Sequence, residues 1–243
     1  MVNVSIVIPA KNEEGNISSL VNEIRAAMNG FCEYEIVYIN DGSTDGTLQK
    51  LKEIQADFPG LRIWSHDKST GQSQAVVDGV KMARYPVIAT LDADGQNDPA
   101  DIPAMVELLE RSDPQTALIA GYRTKRKDSW LKRFSSKYAN AIRSRILNDG
   151  TPDTGCGLKV FQREKFLELP YFDHMHRYIP ALLRREGYDI VVHEVNHRHR
   201  HAGTSKYGFH NRFWTGIVDI LGVIWLQRRH KKAGIIDENQ DNV

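Results

Sequence analysis

Val87-Ile-Ala-Thr-Leu-Asp-Ala-Asp-Gly-Gln-Asn-Asp-Pro99 is an apolar run that stops on two acids in D-x-D spacing and then on turn formers. Val87–Leu91 is apolar on both faces, as a strand covered by helices on each side has to be. Asp92, Asp94 and Gln96 therefore stand where that strand leaves its sheet. Two earlier runs end in the same way: Val4–Ile8 in Pro9-Ala-Lys-Asn-Glu-Glu14, and Glu35–Ile39 in Asn40-Asp-Gly-Ser-Thr-Asp-Gly46, while Leu61–Ser65 reads as a further strand. Between them lie helices with apolar positions at Ile17, Leu20, Val21, Ile24 and Met28, at Leu48, Leu51, Ile54 and Phe58, and at Ala75, Val76, Gly79, Val80 and Ala83. The i, i+3, i+4, i+7 spacing is clear in the first two. The alternation predicts an α/β doubly wound, mostly parallel sheet with right-handed crossovers, whose ligands bind outside the carboxyl ends of the strands.

The chain has 243 residues, 41% hydrophobic and 26% charged, with 18 Gly and 9 Pro, which suits one large α/β domain and excludes collagenous, low-complexity and disordered classes. Two cysteines, Cys32 and Cys156, make neither a disulfide framework nor a Cys-rich zinc site and fit a reduced cytosol. Net charge is +1, which argues against a general nucleic-acid binder, yet residues 123–145 carry nine basic side chains against one acid and residues 197–232 carry eight against one. Such asymmetry suits a site that assembles a metal ion with several phosphates, or an anionic membrane surface. No positively charged leader precedes the first apolar run, so it reads as a buried strand.

After residue 115, Ala117–Tyr122, Gly157–Phe161 and Asp189–Val195 read as strands, Trp130–Leu147 as a basic amphipathic helix and His174–Glu186 as another helix. No internal repeat or Gly/Ser hinge divides the chain. Asp45 is a candidate helix cap, and Asp41, Gly42 and Ser43 read either as a tight turn or as groups facing the crevice. G-x-G-x-x-G and P-loop patterns are missing, against an NAD enzyme or a P-loop NTPase. A D-x-D leaving a strand brings two carboxylates to one hard cation; Gln96 adds an amide oxygen, and phosphate oxygens and water complete an octahedron around Mg2+ or Mn2+. The H-x-H-x-H run at His197, His199 and His201 invites zinc, but no second Cys/His cluster stands at ligand spacing. Cys156 lacks an identifiable activating base and reads as a small packed residue.

These motifs, together with Asp153-Thr-Gly-Cys-Gly-Leu-Lys-Val-Phe161 and Arg200-His-Ala-Gly-Thr-Ser-Lys-Tyr207, resemble family 2 glycosyltransferases of the GT-A fold. More narrowly they resemble the group of dolichol-phosphate mannose synthase and bacterial polyprenyl-phosphate glycosyltransferases, over about residues 3–210. The resemblance implies a catalytic domain over 1–210 that inverts a sugar as it passes from a UDP- or GDP-linked donor to undecaprenyl or dolichyl phosphate, for envelope glycan or lipid A modification. It implies a base and ribose pocket at Pro9, Ala10, Asn12 and Glu13, with Asp41 on the nucleobase edge and Asp92 beside the nucleotide. Asp92, Asp94 and Gln96 would hold the metal; Asp94, Asp153, Arg200 and Lys206 would serve catalysis; Arg123, Arg133, Arg200 and Lys206 would meet the acceptor phosphate. Asn40 departs from the commoner Asp. Lys125, Arg126 and Lys127 read as solvated charge. The alternatives are transfer to a saccharide hydroxyl, which needs a carboxylate base, and a silent nucleotide-sugar binding module.

Phe213, Trp214, Ile217, Ile220, Leu221, Ile224 and Trp225 recur at helical spacing ahead of Gln227-Arg-Arg-His-Lys-Lys232. The run is shorter than the ~20 apolar residues of a membrane span. Residues 211–232 therefore read as an amphipathic helix that docks on an anionic membrane or packs on protein, with 233–243 a flexible tail. Relatives of this group often carry transmembrane helices after the catalytic domain. The expected place is the cytoplasmic face, peripheral, with a homo-oligomer or a separate membrane protein as further partners and no nucleic acid.

Overall fold

The computed structural model describes residues 2–124, 143–198 and 209–231, the side chains of 209–214 apart. In chain order it contains β1 (Val4–Ala10), α1 (Glu14–Met28), β2 (Tyr34–Asn40), α2 (Thr47–Asp57), β3 (Leu61–Ser65), α3 (Gln72–Met82), β4 (Val87–Thr90), a 3-10 turn (Pro99–Asp101), α4 (Ile102–Arg111), β5 (Thr116–Tyr122), β6 (Lys159–Gln162), α5 (Arg163–Leu167), a second 3-10 turn (Met175–Arg177), α6 (Ile179–Arg185), β7 (Asp189–Glu194) and α7 (Phe209–Arg229). The strands form one seven-stranded sheet in the order β3-β2-β1-β4-β6-β5-β7. β6 alone in it is antiparallel, to both β4 and β5.

Strand alternation splits the core into two layers. Ile6 and Ile8 of β1 face α1 through Ile17, Leu20 and Ile24. Val7 faces the other way, with Ile39, Val76 and Val80, into a layer that also contains Leu182 and Val223. α3 approaches this face at Gly79, where a Cβ would lie 2.4 Å from Val7 Cγ1.

Two features of the sheet shape its upper edge. Thr90 pairs with Val7 at the end of β4, while β1 continues to Ala10, so the chain leaves at Leu91 below the top of its neighbour. The reversed direction of β6 then brings the residues that precede it, 153–158, to the same edge as the carboxyl ends of β4 and β5. A purely parallel sheet would offer only post-strand loops there.

Two expected elements differ. The segment 174–186 breaks into a 3-10 turn and α6, because His174 sits at φ 66° and Pro180 occupies the first turn of α6. The strand before Phe161 begins at Lys159 rather than Gly157, since the preceding residues leave the ladder to meet Asp92. Of the basic helix expected over 130–147, residues 143–147 are described, and they are helical.

α7 packs on the core with one face. Val223 is fully buried, Ile220, Ile224 and Leu226 lie against the second core layer, and Gln227 Nε2 donates to the Leu147 carbonyl at 2.8 Å. The other face leaves Ile217, Val218, Leu221 and Trp225 exposed, Val218 at 66%. Among the described residues no helix is long and apolar enough to cross a membrane.

Candidate active site

The loops after β1 and β2 close on each other. Asn12, at φ 54°, accepts from Thr44 N–H at 2.7 Å through Oδ1, and its own N–H donates to Ser43 Oγ at 2.9 Å. Glu13 N–H donates to Thr47 Oγ1 at 2.9 Å. Asp45 accepts from Thr47 N–H at 3.0 Å, while Gly46 holds the cap position of α2. Asp41, 4% exposed, accepts from Ser69 Oγ, Thr70 N–H, Gly71 N–H and His66 Nδ1 at 2.7 to 3.0 Å. Burial alone would raise its pKa, but these donors outweigh it and hold the carboxyl at about 2.

Beyond β4 the polar groups are charged, with Asp94, Asp153 and Lys159 buried and Asp92 and Arg123 half-buried. Asp92 Oδ1 accepts from Gln72 Nε2 at 2.7 Å, and its backbone N–H donates to Asn97 Oδ1 at 3.3 Å. Asp94, 8% exposed, accepts from Gln96 N–H at 3.1 Å. Gly157 leaves the space that Asp92 fills, for a Cβ there would lie 2.2 Å from Asp92 Oδ2. Thr90 Oγ1 donates to the Gly157 carbonyl at 2.7 Å, fastening the loop to β4. Arg123, at the end of β5, forks onto Asp153: Nε to Oδ2 at 2.6 Å and Nη2 to Oδ1 at 2.9 Å. Lys159, 5% exposed, donates to the Cys156 carbonyl.

Burial, then the neighbouring charge of Asp94, raises the pKa of Asp92; burial lowers that of Lys159. Two crowded carboxylates, one of them reluctant to ionise, form a donor set that a divalent cation would relieve, and their oxygens are the hard ligands that Mg2+ and Mn2+ prefer. Among the described residues no three His, Cys, Asp or Glu side chains cluster as a metal cage. The pair thus leaves ligand positions to phosphate oxygens and water. The residues present fit such an ion.

A cavity of about 510 Å³ is lined by Pro9, Gln72, Asp92, Arg123, Asp153, Lys159, His176 and Arg177. His176 Nδ1 lies 2.7 Å from Ser73 Oγ, and burial drives its pKa well below the ordinary value, so the ring is neutral. Of the residues singled out from sequence, Pro9, Asp92, Arg123 and Asp153 line this cavity. Ala10 ends β1, Asn12, Glu13 and Asp41 belong to the loops after β1 and β2, and Asp94 and Gln96 to the turn after β4. Arg133, Arg200 and Lys206 lie outside the described residues, as do Lys125, Arg126, Lys127, His199 and His201. Cys156 is 1% exposed, its thiol pKa raised by burial.

Gln72, Lys159, His176 and Arg177 are not singled out by the sequence reading. A lysine inside an apolar strand run was the available signal for Lys159. For Gln72 there was none, since its partner Asp92 lies twenty residues away across a crossover.

Sequence and structure comparisons identify proteins that the chain is similar to. The family model described as glycosyl transferase family 2 matches residues 5–169. Dodecaprenyl-phosphate galacturonate synthase of Rhizobium johnstonii is 36% identical over 235 residues, covering 95% of this chain and 69% of the relative. Undecaprenyl-phosphate 4-deoxy-4-formamido-L-arabinose transferase of Edwardsiella ictaluri is 32% identical, covering 84% and 63%. The chain thus spans about two thirds of the length of these relatives. Among solved structures, glucosyl-3-phosphoglycerate synthase from Mycobacterium tuberculosis with Mn2+, UDP and glucosyl-3-phosphoglycerate superposes with a TM-score of 0.68 at 18% identity, over 96% of this chain and 82% of that one. A mannosyltransferase from Pyrobaculum calidifontis with GDP-mannose and Mn2+ gives 0.67 at 19% identity, over 95% and 65%. These two share the GT-A fold with the present chain. By family model and by identity to its relatives, the chain belongs to glycosyl transferase family 2.

Proposed function

We propose that the chain transfers a sugar, with inversion, from a nucleotide diphosphate sugar to a polyprenyl phosphate at the cytoplasmic face of a membrane. The observation that carries the reading is the Arg123–Asp153 fork beside Asp92. A saccharide hydroxyl must lose its proton to a base, and Asp153 already receives two N–H groups from one guanidinium. A carboxylate engaged in this way is a poor proton acceptor. A phosphate monoester, whose second pKa is ~6, is mostly anionic at cytosolic pH and needs no base. This favours phosphate over hydroxyl acceptors.

The chain's own contribution is positional and electrostatic. Asn12, Glu13 and Asp41 fix the loops that hold the nucleotide. Asp92 and Asp94, with Gln96 adjoining, would hold Mg2+ or Mn2+, and such a cation offsets charge on the departing diphosphate. Asp153 aims Arg123, and Lys159 lines the same cavity. Arg133, Arg200 and Lys206 remain candidate phosphate contacts within 1–210.

α7 would lie on the bilayer surface through Ile217, Val218, Leu221 and Trp225, with Arg228, Arg229 and Lys231 attracting anionic lipid at ~1 kcal/mol each. Deletion of 213–243 is a poor test, because it would also remove Val223 from the core. Leu221→Ser combined with Trp225→Ser should weaken sedimentation with anionic liposomes and leave thermal stability unchanged; equal sedimentation would sink the docking role. The test of activity is transfer of labelled sugar from UDP- and GDP-linked donors to a short polyprenyl phosphate, with and without chelator. Transfer to free saccharides but to no polyprenyl phosphate would overturn the reading.

A further inference from the structure

Among the described residues the charges lining the cavity cancel in pairs, with one exception. Arg123 is forked by Asp153, and Lys159 sits under the field of Asp92. Arg177 also lines the cavity, and among the described residues its side chain has neither an ion pair nor a hydrogen bond. Its charge is felt through space by Asp219 and Tyr178. A half-buried guanidinium with five donors and no partner is costly unless an anion completes it.

The turn that carries Arg177 is held from two sides. His174, in the left-handed region at φ 66°, places Nδ1 3.1 Å from Asp219 Oδ2 of α7. His176 binds Ser73 at the start of α3 through its ring, and its N–H donates to Ser73 Oγ at 3.3 Å. Arg177 N–H donates to the His174 carbonyl at 3.1 Å, and Tyr178, 4% exposed, seals the turn from below. The backbone is thus fixed before any ligand arrives, which lowers the ordering cost of binding.

We propose that Arg177 is an acceptor-phosphate contact, a planar cation that meets the dianionic headgroup in the cavity that the Arg123–Asp153 fork also lines. This rests on the reading of the acceptor as a phosphate monoester. Arg177 also links two parts of the molecule, since α7 holds the turn that presents it. The C-terminal helix therefore supports the acceptor site as well as contacting solvent.

The experiment is steady-state transfer to farnesyl phosphate by the full chain and by Arg177→Ala and Arg177→Lys, with calorimetric titration of farnesyl phosphate and of UDP and GDP. Arg177→Ala should raise the acceptor KM and Kd at least about 30-fold, the scale of a charge-assisted hydrogen bond left unmade. Nucleotide affinity and melting temperature should not change. Arg177→Lys should recover part of the loss, and millimolar guanidinium should restore part of the turnover of Arg177→Ala. An unchanged acceptor Kd in Arg177→Ala would overturn the assignment, as would a fall in kcat that tracks a fall in melting temperature with KM unmoved. If the wild-type chain binds farnesyl phosphate but transfers nothing to it, the proposed function fails, while the titration still decides Arg177.

Discussion

The two halves of the site solve opposite problems with similar residues. Over β1 and β2, Asp41 is buried and saturated by donors from 66–71, and its carboxyl is held at about 2. Beyond β4, Asp92 is a half-buried aspartate with fewer donors and an acidic neighbour, and its pKa is raised. Saturated polar groups define a shape; undersatisfied ones leave room for a ligand to complete the balance. The difference assigns form to one half and chemistry to the other.

The strongest way to break that contrast is to neutralise each acid. Asp92→Asn or Asp94→Asn should cut transfer about 1000-fold, roughly 4 kcal/mol of transition-state stabilisation. The melting temperature of metal-free Asp92→Asn should rise at neutral pH, because the ionised form is disfavoured in the fold. Retained turnover with lowered stability would make Asp92 a structural residue. Asp41→Ala should behave in the opposite sense, losing about 3 kcal/mol of stability in urea unfolding as its buried donors lose their acceptor. A variant as stable as wild type would remove Asp41 from the framework.

The same contrast has a pH signature. The folded carboxyl of Asp41 titrates at about 2, below an unfolded value of ~3.9. Its ionised form therefore favours the fold above that unfolded value. The contribution, about 2 kcal/mol, fades as pH falls through the folded value. Acid unfolding of wild type and Asp41→Asn should converge in that window; parallel curves would contradict it. The smallest effect is expected at Gly157→Ala. The new methyl displaces Asp92, costing about 1 kcal/mol of stability and about tenfold in turnover. Unaltered turnover would separate the placement of Asp92 from catalysis.

Much of this was legible in the sequence because it is local. The strand at Leu61–Ser65 has the same bounds in both readings, and β1, β2 and β4 differ only at their ends. Asp92 and Asp94 follow directly from their place after an apolar run. Residues whose role arises from topology were not legible: the reversal of β6 carries Gly157 and Lys159 to the edge, and nothing in a strand's own residues records its direction. The amphipathic reading of the last helix merged two faces. Ile220 and Ile224 pack inward while Leu221 and Trp225 face solvent, and periodicity alone cannot assign a second apolar stripe to core or to surroundings.

The 66–71 segment has no helix or strand, yet two of its backbone amides end on the Asp41 carboxylate. Solvent catalysts reach an amide proton only when its bond opens, and opening here would leave a buried anion short of donors. The Thr70 and Gly71 protons should therefore exchange with deuterium on the timescale of the central strands. A segment that is irregular in shape would then be among the slowest parts of the molecule to open.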